Sequence, residues 1–209
     1  IRKPVLRYLS TKILIQKSSP RLIAALDQVS DDHRGYVFPQ SVYGVELRDT
    51  GMHEVYLLCL LNSEVMNEYI RRTVTGYKLV QPQLEIEDIR ALPIRQIEFA
   101  ADPADRSTEL QRGIDIFEIE SPRAEHSLPF SELGNFVSEC LAASPERSDI
   151  VHDLLVHIGN ELLDHTRADR TSPSADNTLR LAAARAAIES IVWRLYSSDP
   201  AQMSLPFRG

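Results

Sequence analysis

Three clusters of hydrogen-bonding side chains punctuate the first half of this chain. Gln16, Lys17, Ser18, Ser19 and Arg21 surround Pro20; His33, Arg34, Tyr36 and Gln40 lie in the Ser/Asp/Gly/Pro-containing stretch 28–40; Arg71, Arg72, Lys78, Gln81 and Gln83 follow an apolar helical pattern. Arginine can grip guanine through two parallel hydrogen bonds and glutamine can do the same for adenine, whereas lysine and serine more often meet phosphate. Each cluster falls at the end of an expected element, where a rigid scaffold usually displays its binding residues. The same residues also suit a plain solvated surface. Arg71 and Arg72 at a helix C-terminus complement the helix dipole, and Tyr8, Tyr43, Tyr56 and Tyr69 suit core edges better than base-stacking platforms.

Other chemistries fare worse. No two of the 8 glycines are spaced as GxG, so no glycine-rich turn offers itself to a nucleotide or methyl-donor cofactor. Asn-Pro-Pro and Asp-Pro-Pro motifs are missing, and none of Lys3, Lys12, Lys17 or Lys78 has an acidic residue two positions before it, as many metal-dependent nucleases require. Asp153, His157, Glu161 and His165 recur every four residues, so on a helix they share a face that could offer metal ligands. A single helix rarely completes such a site, and acid–histidine pairs at this spacing are ordinary on a solvated face. Cys59 and Cys140 lie apart in apolar patterns and read as small core residues. No catalytic, cofactor or metal residue is assigned to this chain.

With 209 residues, 43% of them hydrophobic, the chain can bury a substantial core, and no run nears the roughly 20 apolar residues of a membrane span. A soluble, cytoplasmic protein is expected, with no signal peptide. The chain begins at Ile1 rather than Met and is expected to belong to something longer. Its net charge of −7 is uneven: residues 1–97 carry +2 and the remainder −9. The first part can approach phosphate and the second, on average, repels it, so this chain alone should bind DNA poorly at physiological salt.

The elements that must position these groups follow from pattern. Lys12 to Lys17 alternates like a strand, Leu22 to Leu26 is an apolar run that could be helix or strand by period alone, and Val42 to Leu47 reads as a short strand. Helical spacing holds from His53 to Thr73, with Asn62 and Ser63 suggesting two short helices that meet at a bend. Pro82 and Pro93 bracket LEIEDIRAL. Residues 99–127 look linker-like, with the alternation IDIFEIE as their one strand signal. Helices are expected over Phe130 to Ala143, Ser148 to Arg167 and Ala175 to Tyr196, the last two forming a hairpin with Asp149 and Ser174 near their starts as caps. The expected organisation is a domain over 1–97, a linker or insertion over 98–127 and a helical subdomain over 128–209.

The order of these motifs resembles the TaqI-like C-terminal specificity domain, the target-recognition part of adenine-N6 DNA methyltransferases and their restriction-linked relatives. An extended Lys-containing strand (Lys12 to Lys17), a strand ending in Asp (Arg21 to Asp27), a helix ending in Leu-Asn-Ser (Leu60 to Ser63) and a segment closing in Leu-Pro-Ile (Leu92 to Ile94) occur in the family's order. Leu195, Tyr196 and Asp199 are similar to the close of its larger members, whereas residues 98–147 match nothing familiar. The resemblance implies an α+β fold, a mixed small-sheet target-recognition domain followed by a helical bundle or hairpin. It implies contact with double-stranded DNA through Gln16, Lys17, Ser18, Arg21, His33, Arg34, Tyr36, Gln40, Arg71, Arg72, Lys78 and Gln81. It also implies a parent enzyme of bacterial restriction-modification or phage defence, whose separate catalytic domain uses S-adenosylmethionine and flips the target adenine. The rival expectation is a protein-interaction module that docks a partner or a second copy through its C-terminal helices, for which exposed apolar positions on the last helix would speak. An enzyme with an unfamiliar site is a third reading, opposed by the missing nucleophile, cofactor loop and ligand cluster.

Overall fold

The computed structural model describes residues 9–48, 50–74, 83–122 and 130–197. It is α+β, and its internal contacts divide it into two compact units, Ile1–Ile94 and Arg95–Gly209.

The first unit is built on a three-stranded antiparallel sheet of order β2-β1-β3, with β1 Lys12–Gln16, β2 Ala24–Asp27 and β3 Val42–Val45. Alternation gives the sheet two faces. Ile13 and Ile15 are fully buried on one, with α1 (Glu54–Asn62) packed on β1 and β2. Lys12, Leu14 and their partners Asp27, Ala25 and Gly44 make the other. The segment between β2 and β3 lies over part of the second face, on which Lys12 and Asp27 are buried while Ala25 and Gly44 stay exposed: a Cβ at Gly44 would stand 2.7 Å from Phe38 Cζ, so glycine is needed for that ring to lie on the strand.

α1 buries every residue from Val55 to Leu61, as expected of a helix that is apolar all round. The bend expected at Asn62 and Ser63 is present. Ser63 ends α1 and caps α2 (Glu64–Thr73), its hydroxyl accepting from the Met66 amide and donating to the Leu60 carbonyl. The Asn62 side chain accepts from the Ala24 amide at 3.0 Å and donates to the Ala24 carbonyl at 3.0 Å. Asn67 accepts from the Leu22 amide at 2.8 Å. The Leu-Asn-Ser motif thus satisfies the backbone of β2 on the side away from β1 while turning the chain into a second helix. A short α3, Ile86–Arg90, follows within LEIEDIRAL.

The second unit packs four helices, α4 Pro103–Glu120, α5 Ser131–Ala142, α6 Ser148–Thr171 and α7 Ala175–Ser197. The α6/α7 hairpin buries Val151, Leu154, Leu155 and Ile158 with Leu181, Ala184, Ile188, Ile191 and Leu195. Ser174 caps α7 by accepting from the Asn177 amide. Asp149 is not the cap expected of it: α6 starts at Ser148 behind Arg147 with no side-chain cap bond, and Asp149, fully buried inside the first turn, accepts from the Ile150 amide and, at 2.9 Å, from the Ala101 amide.

Another expectation is corrected. Residues 98–127, read as linker or insertion with a strand at IDIFEIE, hold the eighteen-residue helix α4. Asp102 caps it and Pro103 opens it; Gly113 and Phe117, four residues apart, form its buried contact. A Cβ at Gly113 would meet Phe136 at 2.7 Å, so this glycine permits close helix packing rather than ending an element. The alternation is incidental, since Ile119 is left 58% exposed.

Candidate nucleic-acid interface

Asp27 organises the first unit's candidate surface. It lies opposite Lys12 in register, and the two form an ion pair at 2.7 Å with side chains 1% and 0% exposed. Lys12 also donates to the Ser10 carbonyl at 2.9 Å. The remaining acceptor capacity of Asp27 goes to the loop that follows: His33 Nε2 lies 2.7 Å from Oδ1, and the Tyr36 amide donates to Oδ2 at 2.8 Å. Burial pushes this carboxyl up. The Lys12 hydrogen bond, the Tyr36 amide and His33 outweigh it and hold the carboxyl below its ordinary value.

The loop is therefore fixed where it leaves the sheet. Ser30 and His33 close a turn through paired backbone bonds, Gly35 takes a φ of 90° that other residues rarely adopt, and the His33 and Tyr36 rings lie 4.5 Å apart. Arg34, Tyr36 and Gln40 stand exposed along it, Gln40 in the turn closed by the Val42 amide on the Pro39 carbonyl.

At the opposite end of β1 the backbone brings members of the first and third clusters together, beside Ser41, which follows Gln40 of the second. The Lys17 amide donates to Ser41, the Lys17 carbonyl accepts from Leu84, and Ser18 forms an isolated bridge with Gln83. Gln16 folds its side chain onto the Ser18 carbonyl. Lys17 Nζ stands 3.4 Å from Glu85 and over the Tyr43 ring; Tyr43 and then Glu85 raise its pKa.

The arginines divide. Arg21 and Arg71 converge on Glu64, Arg71 and Arg72 on Glu68, with the Arg71 contacts at 2.9 and 2.6 Å. Three guanidiniums against two carboxylates leave a single positive charge on that patch. Arg34 has no ion pair among the described residues. Lys78 and Gln81 lie outside the described residues. Of the tyrosines, Tyr56 is fully buried, while Tyr43 and Tyr69 donate to the Leu84 and Ala91 carbonyls; Tyr8 lies outside the described residues.

Sequence reasoning did not single out Asp27 as an anchor or Glu64 and Glu68 as counter-charges. The second signal was present, since Glu68 stands three and four residues before Arg71 and Arg72. The polar stripe on α6 does not converge. Asp153 is gripped twice by Arg106 at 2.6 Å, His165 bonds Asn177, and His157 and Glu161 face each other at 3.4 Å. No group of three or more metal-ligating side chains forms among the described residues. No helix there is long and apolar enough to cross a membrane. At the C-terminal end Leu195 and Tyr196 are buried, and Asp199 lies outside the described residues.

No curated protein and no solved structure matches the chain. In agreement with the order of strand, Asp-ended strand, Leu-Asn-Ser helix and Leu-Pro-Ile segment, residues 3–94, almost all of the first unit, match the family model of the TaqI-like C-terminal specificity domain.

Proposed function

We propose that the first unit reads double-stranded DNA for an adenine-N6 methyltransferase of a bacterial restriction-modification or phage-defence system. The family match carries specificity toward DNA in methyltransferases. The structural support is the loop anchored on Asp27, which exposes Arg34, without an ion pair among the described residues, and Tyr36, whose ring packs on His33. Arg34, Tyr36, Gln40 and the Lys17 edge form the reading surface. Arg21, Arg71 and Arg72 serve as its electrostatic flank, because their charge is already shared with Glu64 and Glu68. The sequence has no glycine-rich turn for S-adenosylmethionine, so methyl transfer and capture of the flipped adenine belong to a catalytic domain outside this chain.

The test is the adenine methylation pattern of DNA from cells carrying the full-length gene, compared with cells in which only residues 3–94 are exchanged for the corresponding domain of a relative. A defined motif that changes with the exchange, in a protein that stays folded and abundant, supports the reading. An unchanged motif overturns it.

A second reading rests on α7, where Leu179 and Trp193 are 43% and 59% exposed. Large apolar side chains on an outer helix face suit the docking of a partner or a second copy. Size-exclusion chromatography with light scattering measures self-association, and Trp193→Glu abolishes it if this face is the contact.

A further inference from the structure

Val37 is 78% exposed, the highest value among the exposed large hydrophobic residues described. A mobile loop could turn such a side chain inward, but this one is fixed on both sides. The Tyr36 amide is bonded to the buried Asp27, and the Phe38 ring lies against Gly44 on the sheet. The fold therefore holds a small branched aliphatic group in water, three residues from the exposed Arg34.

Two features of the same loop define what the group meets. Asp31 and Asp32 are exposed and repel phosphate, so the loop is not suited to lie along a DNA backbone. Among its other exposed groups, Arg34, Tyr36 and Gln40 carry hydrogen-bonding side chains of the kind that face base edges. In the major groove the apolar group that a base edge presents is the C5-methyl of thymine. Val37 is the one large aliphatic side chain that this loop exposes, and its size suits that methyl.

We infer that Val37 is a specificity-determining residue that recognises the C5-methyl of a thymine in the major groove, with Asp27 as the residue that positions it. This rests on the DNA-reading function proposed above. The experiment is site selection by the full-length gene product from two random duplex pools, one made with thymine and one with uracil, which lacks the methyl group. Wild type and Val37→Ala are compared, the exposed site making misfolding of the variant easy to exclude by its melting curve.

Expected is one thymine position whose enrichment falls about fourfold in the uracil pool, the equivalent of about one buried methyl-sized group. Val37→Ala should lose the same preference at the same position and show no further loss with uracil. A selected motif that neither uracil nor Val37→Ala alters at a common position overturns the role of Val37 while leaving DNA reading intact. Failure of wild type to select any motif from either pool overturns both.

Discussion

Replacing Asp27 by Asn should be the most damaging single change in the first unit short of opening its apolar core. The carboxylate accepts from Lys12, Tyr36 and His33, and the ion pair with Lys12 is sealed from solvent. An amide offers one oxygen in place of two and turns an NH2 toward a donor. Lys12 then faces a neutral amide where it had a carboxylate, while still donating to the Ser10 carbonyl. Breaking a buried pair from one side costs about 3–5 kcal/mol, a large share of the roughly 5–15 kcal/mol that holds a domain. Urea denaturation followed by circular dichroism should show that loss at pH 7. The carboxyl is held below its ordinary value in the fold, so its contribution is complete above the unfolded pKa, about 3.9, and disappears as pH falls through the lower folded value. The gap between wild type and Asp27→Asn should therefore close in acid. Lys12→Met with Asp27→Leu removes both charges and should recover much of the stability, less about 1–3 kcal/mol for the stranded Tyr36 amide. That double variant keeps the sheet but frees the 33–37 loop, so it should fold and lose sequence choice. A single Asp27→Asn that costs under about 1 kcal/mol at pH 7 would refute the argument, because a pair this dry cannot be opened so cheaply.

Other outcomes follow from contacts elsewhere. Asn62→Ala removes both side-chain bonds to Ala24 and should lower stability by about 1–3 kcal/mol in the same denaturation assay. Arg106→Ala abolishes the two-bond grip on Asp153, whose carboxyl, pushed up by burial, is pulled below its ordinary value by His152 and Arg106. Its destabilising effect, read by thermal melting, should be full near neutral pH and fade below about pH 4, as the carboxylate is lost. Burial pushes the Cys59 thiol up to about 12 and that of Cys140 to about 11, so neither should react with a thiol reagent at pH 8 until the chain is unfolded. Arg34→Ala should relax sequence choice at one position at a cost of about 1–3 kcal/mol, measured by competition binding, whereas Arg72→Ala should weaken all sequences alike.

The fold was legible where local pattern and burial agree. Ile13 and Ile15 alternate and are buried, the Asn-Ser break divides α1 from α2, and the stripes of α6 and α7 meet in the hairpin. It was not legible at 114–120, where Ile114 and Ile116, and again Phe117 and Ile119, stand two apart as in a strand while Ile116 and Ile119 stand three apart as in a helix. The Asp102-Pro103 start and the packing of Gly113 decide for helix. The candidate surface was legible as residue types in clusters, but not as charges in space. Whether an arginine is free depends on Glu64 meeting Arg21 across 43 residues, and whether the loop is fixed depends on the register that sets Lys12 against Asp27. Such pairings are made by tertiary structure, and periodicity carries no trace of them.

The asparagines of the Leu-Asn-Ser helix pair have a further consequence for the sheet's outer margin. β2 is an edge strand, and an unguarded edge is a template on which strands of other chains can add. Asn62 occupies both hydrogen-bonding groups of Ala24, and Asn67 occupies the amide of Leu22. Two side chains thus imitate the strand that would otherwise dock there. The same contacts that turn the helix also protect the domain from edge-to-edge aggregation, and a polar substitution that kept the helices but removed these amides would expose that margin.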